Sequence, residues 1–236
     1  MDGQEYSYLD LRQQIQTLGA DVRVAIVDSC SSGALTRSKG GGRRPAFLTD
    51  QTASMERHAV LTSDSASEAA QESDRLGASF FTHHLVSGLR GAADSSGDGL
   101  LTLEEACQHA FIATLASTER TQFGPQHPIC DINLNGSGQL MLTDLRQTNS
   151  RLIAGQDVSG AVFVRDVNRG LVAELRNAPG QVSTVGLSAG TGRVTVEGEG
   201  EVLGGEVEVA AGTTTRVNPA ALRRIRRQPP CCPTTP

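Results

Sequence analysis

The sequence predicts an α/β fold: a layer with a mainly parallel sheet and flanking helices, followed by a small β-sandwich-like module. Three observations predict it. Up to about Leu145 helical stretches alternate with short apolar strands, whereas from Ala161 onward period-two strands and glycine turns take over. The charge balance shifts in the same region, from 18 acidic against 11 basic side chains over residues 1–150 to 8 against 10 over 151–236. The 236 residues suffice for one medium domain and a smaller one, since domains cluster at roughly 100–150 residues. The polar stretch Gln147-Thr148-Asn149-Ser150 marks a boundary, dividing the chain into residues 1–147, a β-rich module over 158–218 and a tail over 219–236.

The first helix has Ser7 as N-cap with Asp10 three residues on, Tyr8, Leu11, Ile15 and Leu18 on one stripe, and Gly19 as terminator. The run Val22-Arg23-Val24-Ala25-Ile26-Val27 is apolar and β-branched, as in a buried parallel strand, and it ends in Asp28-Ser29-Cys30. Thr36 to Pro45 holds three consecutive glycines and four basic side chains and is predicted as an exposed loop. His58 to Ser63 forms a second strand, followed by a polar loop to Arg75. A helix over about Ser79 to Leu89 carries Phe81, Leu85 and Leu89 on one stripe, with one of His83 and His84 half-buried and the other solvated. Another starts at Thr102, whose capping box is completed by Glu105. Ile132 to Leu142 has the pattern of a hairpin around Asn135-Gly136-Ser137-Gly138. In the second half, strands centred on Val162, Ala173, Val194 and Val207 build the β-rich module. The tail over 219–236, with Arg223, Arg224, Arg226 and Arg227, lacks the apolar residues for a core and is expected to be disordered.

Composition excludes several functions. With 3% aromatics, no Trp and a net charge of −5, the chain lacks the stacking platforms and basic groove of a nucleic-acid binder. No apolar run approaches the roughly 20 residues of a membrane span, and the acidic start is unlike a signal peptide, so the expected location is cytoplasmic. The five cysteines match no zinc spacing and no even disulfide framework; Cys107 and Cys130 are expected as reduced core thiols.

Cys30 stands at the carboxyl end of a strand, where α/β sheets present ligands, and a thiolate there is a nucleophile; a buried inert thiol is the alternative. The segment Val24 to Gly33 (VAIVDSCSSG) resembles the nucleophile strand of the caspase and metacaspase family of cysteine peptidases, whose usual form is Asp-Ser-Cys-x-Ser-Gly. Leu61 to Ser73, Ser79 to Asp94 and Gly97 to Ala106 extend the resemblance over about Ser7 to Leu145. It implies that residues 1–147 hold the second half of a caspase-like sheet. It also implies that Cys30 attacks the scissile carbonyl of a polypeptide substrate while its backbone N–H holds the oxyanion. Asp28 would then line the pocket for the residue before the cut bond, favouring Arg or Lys by charge-assisted pairing. Glu68 or Asp64 would supply a second acidic group there, unless they are merely solvated.

The same resemblance exposes a gap. The family's histidine lies about 50 residues before the cysteine, and only 29 residues precede Cys30. None of His58, His83, His84, His109 and His127 stands in a His-Gly setting after a strand. The sequence therefore predicts an N-terminally truncated catalytic domain, inactive alone, whose partner would be the missing half. The alternative is an inactive caspase-homology fragment that binds a peptide or a protein partner. Arg37, Lys39, Arg43 and Arg44 fall where relatives are cut during activation, or else form an ordinary surface loop. No cofactor is required, but Asp94, Ser96, Asp98, Leu100, Thr102 and Glu105 fit positions 1, 3, 5, 7, 9 and 12 of a calcium loop with Gly99 at position 6. A turn followed by the Thr102/Glu105 capping box accounts for the same residues.

Overall fold

The computed structural model describes residues 8–29, 58–65, 68, 70–73, 76–134, 139–168, 170–198 and 200–225. Ser7, Cys30, the basic loop, the 135–138 turn and the arginines and cysteines after Ile225 lie outside them. The chain is mixed α/β, and its contacts group it into two compact units: Met1–Gln71 with Phe111–Gly138, and Glu72–Ala110 with Gln139–Pro236. Among the described residues no helix is long and apolar enough to cross a membrane.

In the first unit α1 (Tyr8–Thr17) half-buries Leu11 and Ile15, as its stripe requires. The Arg23 guanidinium closes it by donating to the Leu18 carbonyl at 2.6 and 2.9 Å, satisfying an oxygen that the helix end leaves without an amide partner. β1 (Arg23–Val27) pairs in parallel with β2 (His58–Thr62), and β6 (Ile129–Asn133) joins the other side of β2 antiparallel. Central β2 is buried along its whole length. β1 is an edge strand, and its Val24 and Ile26 are 41% and 51% exposed, so the expected buried strand is instead half open. The reason is that a continuous apolar run records what a strand could bury, not what covers it.

The second unit begins with a short hairpin, β3 (Glu72–Ser73) and β4 (Ala78–Ser79), leading into α2 (Phe80–Ser87). Ser79 caps α2, its Oγ accepting from the Thr82 N–H at 2.9 Å, and a turn of π-helix over Gly88–Ala92 extends it. Gly91 has φ of +129°, and a Cβ there would stand 2.0 Å from the Thr184 carbonyl oxygen, so this close approach of backbones admits only glycine. β5 (Leu100–Thr102) precedes α3 (Leu103–Thr118), whose first turns belong to this unit. β7 (Met141–Asp144) pairs with β5, not with β6, so the expected hairpin around residues 135–138 is not formed. Both strands find better-buried partners than each other. His83 and His84 are both buried, which corrects the expectation that one is solvated.

The remaining strands are β8 (Arg151–Ala154), β9 (Gly160–Arg165), β10 (Leu171–Asn177), β11 (Ser183–Gly186), β12 (Gly190–Glu197), β13 (Val202–Val209), β14 (Thr214–Arg216) and β15 (Arg223–Arg224). They form a five-stranded antiparallel sheet, ordered β10-β9-β12-β13-β15, and a three-stranded sheet, ordered β11-β8-β14. Alternate residues point inward, Val162 and Val164, Ala173 and Leu175, Val194 and Val196, and they share one apolar core with Leu152, Ala154 and Val185 from the smaller sheet. Order extends past residue 218, contrary to the expectation for the tail. A Cβ on Gly204 of β13 would lie 2.8 Å from Cδ1 of Ile225, so the bare glycine face receives that side chain while the Ile225 N–H bonds to Val202 O.

Cys107 and Cys130 are disulfide-bonded, correcting the expectation of reduced thiols. Pairing is decided by Cβ placement in the fold, which sequence spacing does not report.

Candidate active site

Because β1 and β2 run parallel with Val27 opposite Thr62, both carboxyl ends open on one rim of the first unit's sheet. Such a rim is where α/β sheets present ligands. β6 enters at the same rim, Ile129 facing Thr62. Asp28 and Ser29 follow β1, Ser63 and Asp64 follow β2, and Gln126 and His127 precede β6. Asp28 and Ser29 are exposed, while Ser63 and Asp64 are wholly buried. The Ser63 N–H donates to Val27 O at 3.0 Å and its hydroxyl to Ser29 O at 3.4 Å, locking the start of one loop to the end of the neighbouring strand. The structure thus describes the strand that leads to Cys30, and Cys30 itself, with Arg37, Lys39, Arg43 and Arg44, lies outside the described residues.

The rim is held by a polar network that the sequence did not disclose. Gln126 is fully buried; its Nε2 donates to Ser63 O at 2.6 Å and its Oε1 accepts from the Gln71 N–H at 3.0 Å. Its own N–H bonds to the Thr118 hydroxyl at 2.9 Å, which in turn donates to Thr114 O, within the last turns of α3. Gln71 reaches back through Nε2 to Gly124 O at 2.8 Å and accepts from the Thr121 hydroxyl at 2.6 Å. The side-chain oxygen and nitrogen of Gln126 and its backbone N–H therefore all have partners, as burial demands. No local motif marks Gln126 or Thr118, because their partners are 50 or more residues away or depend on helix packing.

Glu68 lies in the loop after β2, where its carboxylate takes the His127 N–H and the His127 Nδ1, each at 2.9 Å. Burial pushes the Glu68 carboxyl up, but the donors from His127 outweigh that and leave it below the ordinary carboxylate range. The His127 ring tilts against Phe111, with centroids 6.4 Å apart. Of the two acidic candidates beside Asp28, Glu68 is thus engaged by His127, and Asp64 is enclosed at the end of β2.

The second unit contains the calcium-like loop. A helix lies on each side, the α2 extension ending at Ala92 and α3 starting at Leu103. Asp94 accepts from the Ser96 hydroxyl and from the N–H groups of Gly97 and Gly99, and Asp98 accepts from the Leu100 N–H at 2.8 Å. Glu105 accepts from the Thr102 N–H and hydroxyl, each at 3.1 Å, while its own N–H donates to Thr102 Oγ1 at 3.2 Å, completing the capping box. Burial raises the Glu105 carboxyl, and these donors together with Ser95 overcome it and lower it. The loop's carboxylates already serve as turn and cap acceptors.

A crevice of about 1040 Å³ lies elsewhere in this unit, lined in part by Asp157, Arg176, Asn177 and Glu197. Its buried Asn177 is fully used: Nδ2 donates to Gly155 O and Val158 O, and Oδ1 accepts from the Ser183 hydroxyl. That places Asn177 as a clamp between strands and turns, with no group left over for a ligand. No family model, curated protein or solved structure matches this chain.

Proposed function

We propose that the chain is the cysteine-bearing part of a caspase-like endopeptidase that cuts polypeptides after Arg or Lys. The observation that carries this reading is the parallel pairing of β1 with β2, which brings the carboxyl ends of both strands, followed by Asp28 and by Ser63-Asp64, to one rim from which Cys30 follows in sequence. In the proposed reaction the Cys30 thiolate adds to the scissile carbonyl carbon, and its backbone N–H donates to the resulting oxyanion. An imidazolium protonates the leaving amine as the C–N bond breaks, and water, deprotonated by the same imidazole, then hydrolyses the thioester. The reading takes its imidazole from the strands that the family places before α1, because none of this chain's histidines stands in the family's His-Gly setting. It requires no metal, and calcium in the Asp94 to Glu105 loop would be an addition to it. The half-sheet and the β-sandwich-like module belong to the same proposal.

A second reading, an inactive module that binds a protein partner, draws on the open edge of β1, where Val22, Val24 and Ile26 are 39–51% exposed. The two are separated by assay on peptides ending in Arg or Lys. The chain alone is expected to be silent, and the chain fused to three strands and a His-Gly loop of a family member is expected to turn over substrate and to lose all turnover with Cys30→Ala. Turnover by the chain alone contradicts the need for an added imidazole; a well-folded but silent fusion favours the binding module.

A further inference from the structure

The second unit holds another cluster of chemically capable side chains, far in sequence from the proposed nucleophile and independent of the peptidase reading. His83 and His84 are neighbours on α2, with rings 5.0 Å apart in an edge-to-face arrangement. Glu174 comes from β10, whose backbone N–H at that residue bonds to the Ser87 hydroxyl of α2 at 3.2 Å and so fixes strand to helix. One ligand atom from each of His83, His84 and Glu174 lies within 4.8 Å of the other two. His83 Nε2 faces Glu174 Oε2 at 3.5 Å, beyond a normal hydrogen bond.

Two nitrogens here are unsatisfied. His83 Nε2 and His109 Nε2, the latter from α3, are buried without a hydrogen-bond partner. The His83 side chain is only 5% exposed. A buried polar atom without a partner costs folding free energy, and native proteins keep few of them without a reason such as an ion. We propose that His83, His84 and Glu174 bind a divalent transition-metal ion of the zinc class.

The donor set selects the ion. Imidazole nitrogen with a single carboxylate suits zinc and its first-row neighbours, whereas calcium and magnesium demand oxygen ligands throughout. The neutral imidazole ring is the form that ligates. Zinc bonds of about 2.1 Å place tetrahedral ligand atoms roughly 3.4 Å apart, so binding draws the three groups closer. Glu174, whose side chain is 28% exposed against 5% for His83, would make the larger share of that movement. The fourth position then falls to water or to His109. The ion would clamp α2 onto β10.

The test uses the full chain stripped of metal, titrated with zinc chloride by calorimetry and with cobalt(II) as an optical probe. One ion per chain is expected, with a cobalt spectrum of nitrogen and oxygen ligation and a higher unfolding temperature in the loaded protein. His83→Gln and the more exposed Glu174→Gln, each checked for native circular dichroism, are expected to weaken zinc at least tenfold. The site is overturned by no uptake, by uptake unchanged in a folded Glu174→Gln, or by a thiolate charge-transfer band in the cobalt spectrum, which would place the ion on cysteines.

Discussion

Asp28→Asn is expected to lower kcat/KM for Arg-terminated peptides about 100-fold in the proposed complemented enzyme, the chain fused to a family member's three strands and His-Gly loop, while leaving the hydrolysis of peptides with a neutral residue before the cut bond within a factor of a few. Asp28 directly follows Val27 and is exposed at the rim, so under the proposed reading a guanidinium entering there would meet its carboxylate. Once the substrate covers the site the pair is desolvated, and losing one partner of such a charged pair costs about 3 kcal/mol, or two decades in rate. Asparagine keeps the size and one acceptor oxygen but removes the charge, so the loss reports electrostatics and not shape. The measurement is the ratio of kcat/KM for matched Arg and Leu peptides. A ratio that asparagine leaves unchanged would remove Asp28 from substrate recognition.

The second large effect is structural. Gln126→Leu is expected to destabilise the protein by about 3 kcal/mol, seen as a lower midpoint in urea unfolding monitored by circular dichroism. Leucine roughly conserves the volume but strips the donor from Ser63 O and the acceptor from the Gln71 N–H, both enclosed by the same packing. Each stranded backbone group costs about 1–3 kcal/mol. The loop carrying Asp64 is tied down through Ser63, so the rim is expected to loosen as well, and activity in the complemented enzyme should fall by more than stability alone accounts for. A midpoint within error of the parent would mean that water substitutes for both bonds and that the network does not hold the loop.

What could be read from the sequence was what neighbouring residues decide. The start of a helix near Ser79, the reciprocal bonds of Thr102 and Glu105, and the stripe of Phe81 and Leu85 depend on spacings of three or four residues, and all appear where the pattern put them. The alternation of Val162 with Val164 and of Val194 with Val196 was equally legible, because the pleat turns every second side chain inward. What escaped were pairings across long separations. β6 and β7 looked like one hairpin because the turn residues between them are favourable, yet β6 pairs with β2 and β7 with β5. The oxidation of Cys107 and Cys130, the seat of Ile225 on Gly204 and the burial of both His83 and His84 likewise depend on partners that no local window contains. At the rim, a motif singles out Asp28 as a candidate, while Gln126 and His127 carry no motif at all.

The claim on which the functional reading rests is that the residue after Ser29 is a reactive nucleophile beside a pocket for a basic side chain. Covalent labelling tests it most directly: the complemented protein is treated with matched peptidyl electrophiles ending in Arg or in Leu, and the adduct is mapped by peptide mass spectrometry. The account predicts one adduct per chain, on Cys30, forming at least tenfold faster with the Arg reagent and losing that preference in Asp28→Asn. Equal labelling of Cys30 and the tail cysteines Cys231 and Cys232, with no preference between the reagents, would contradict it.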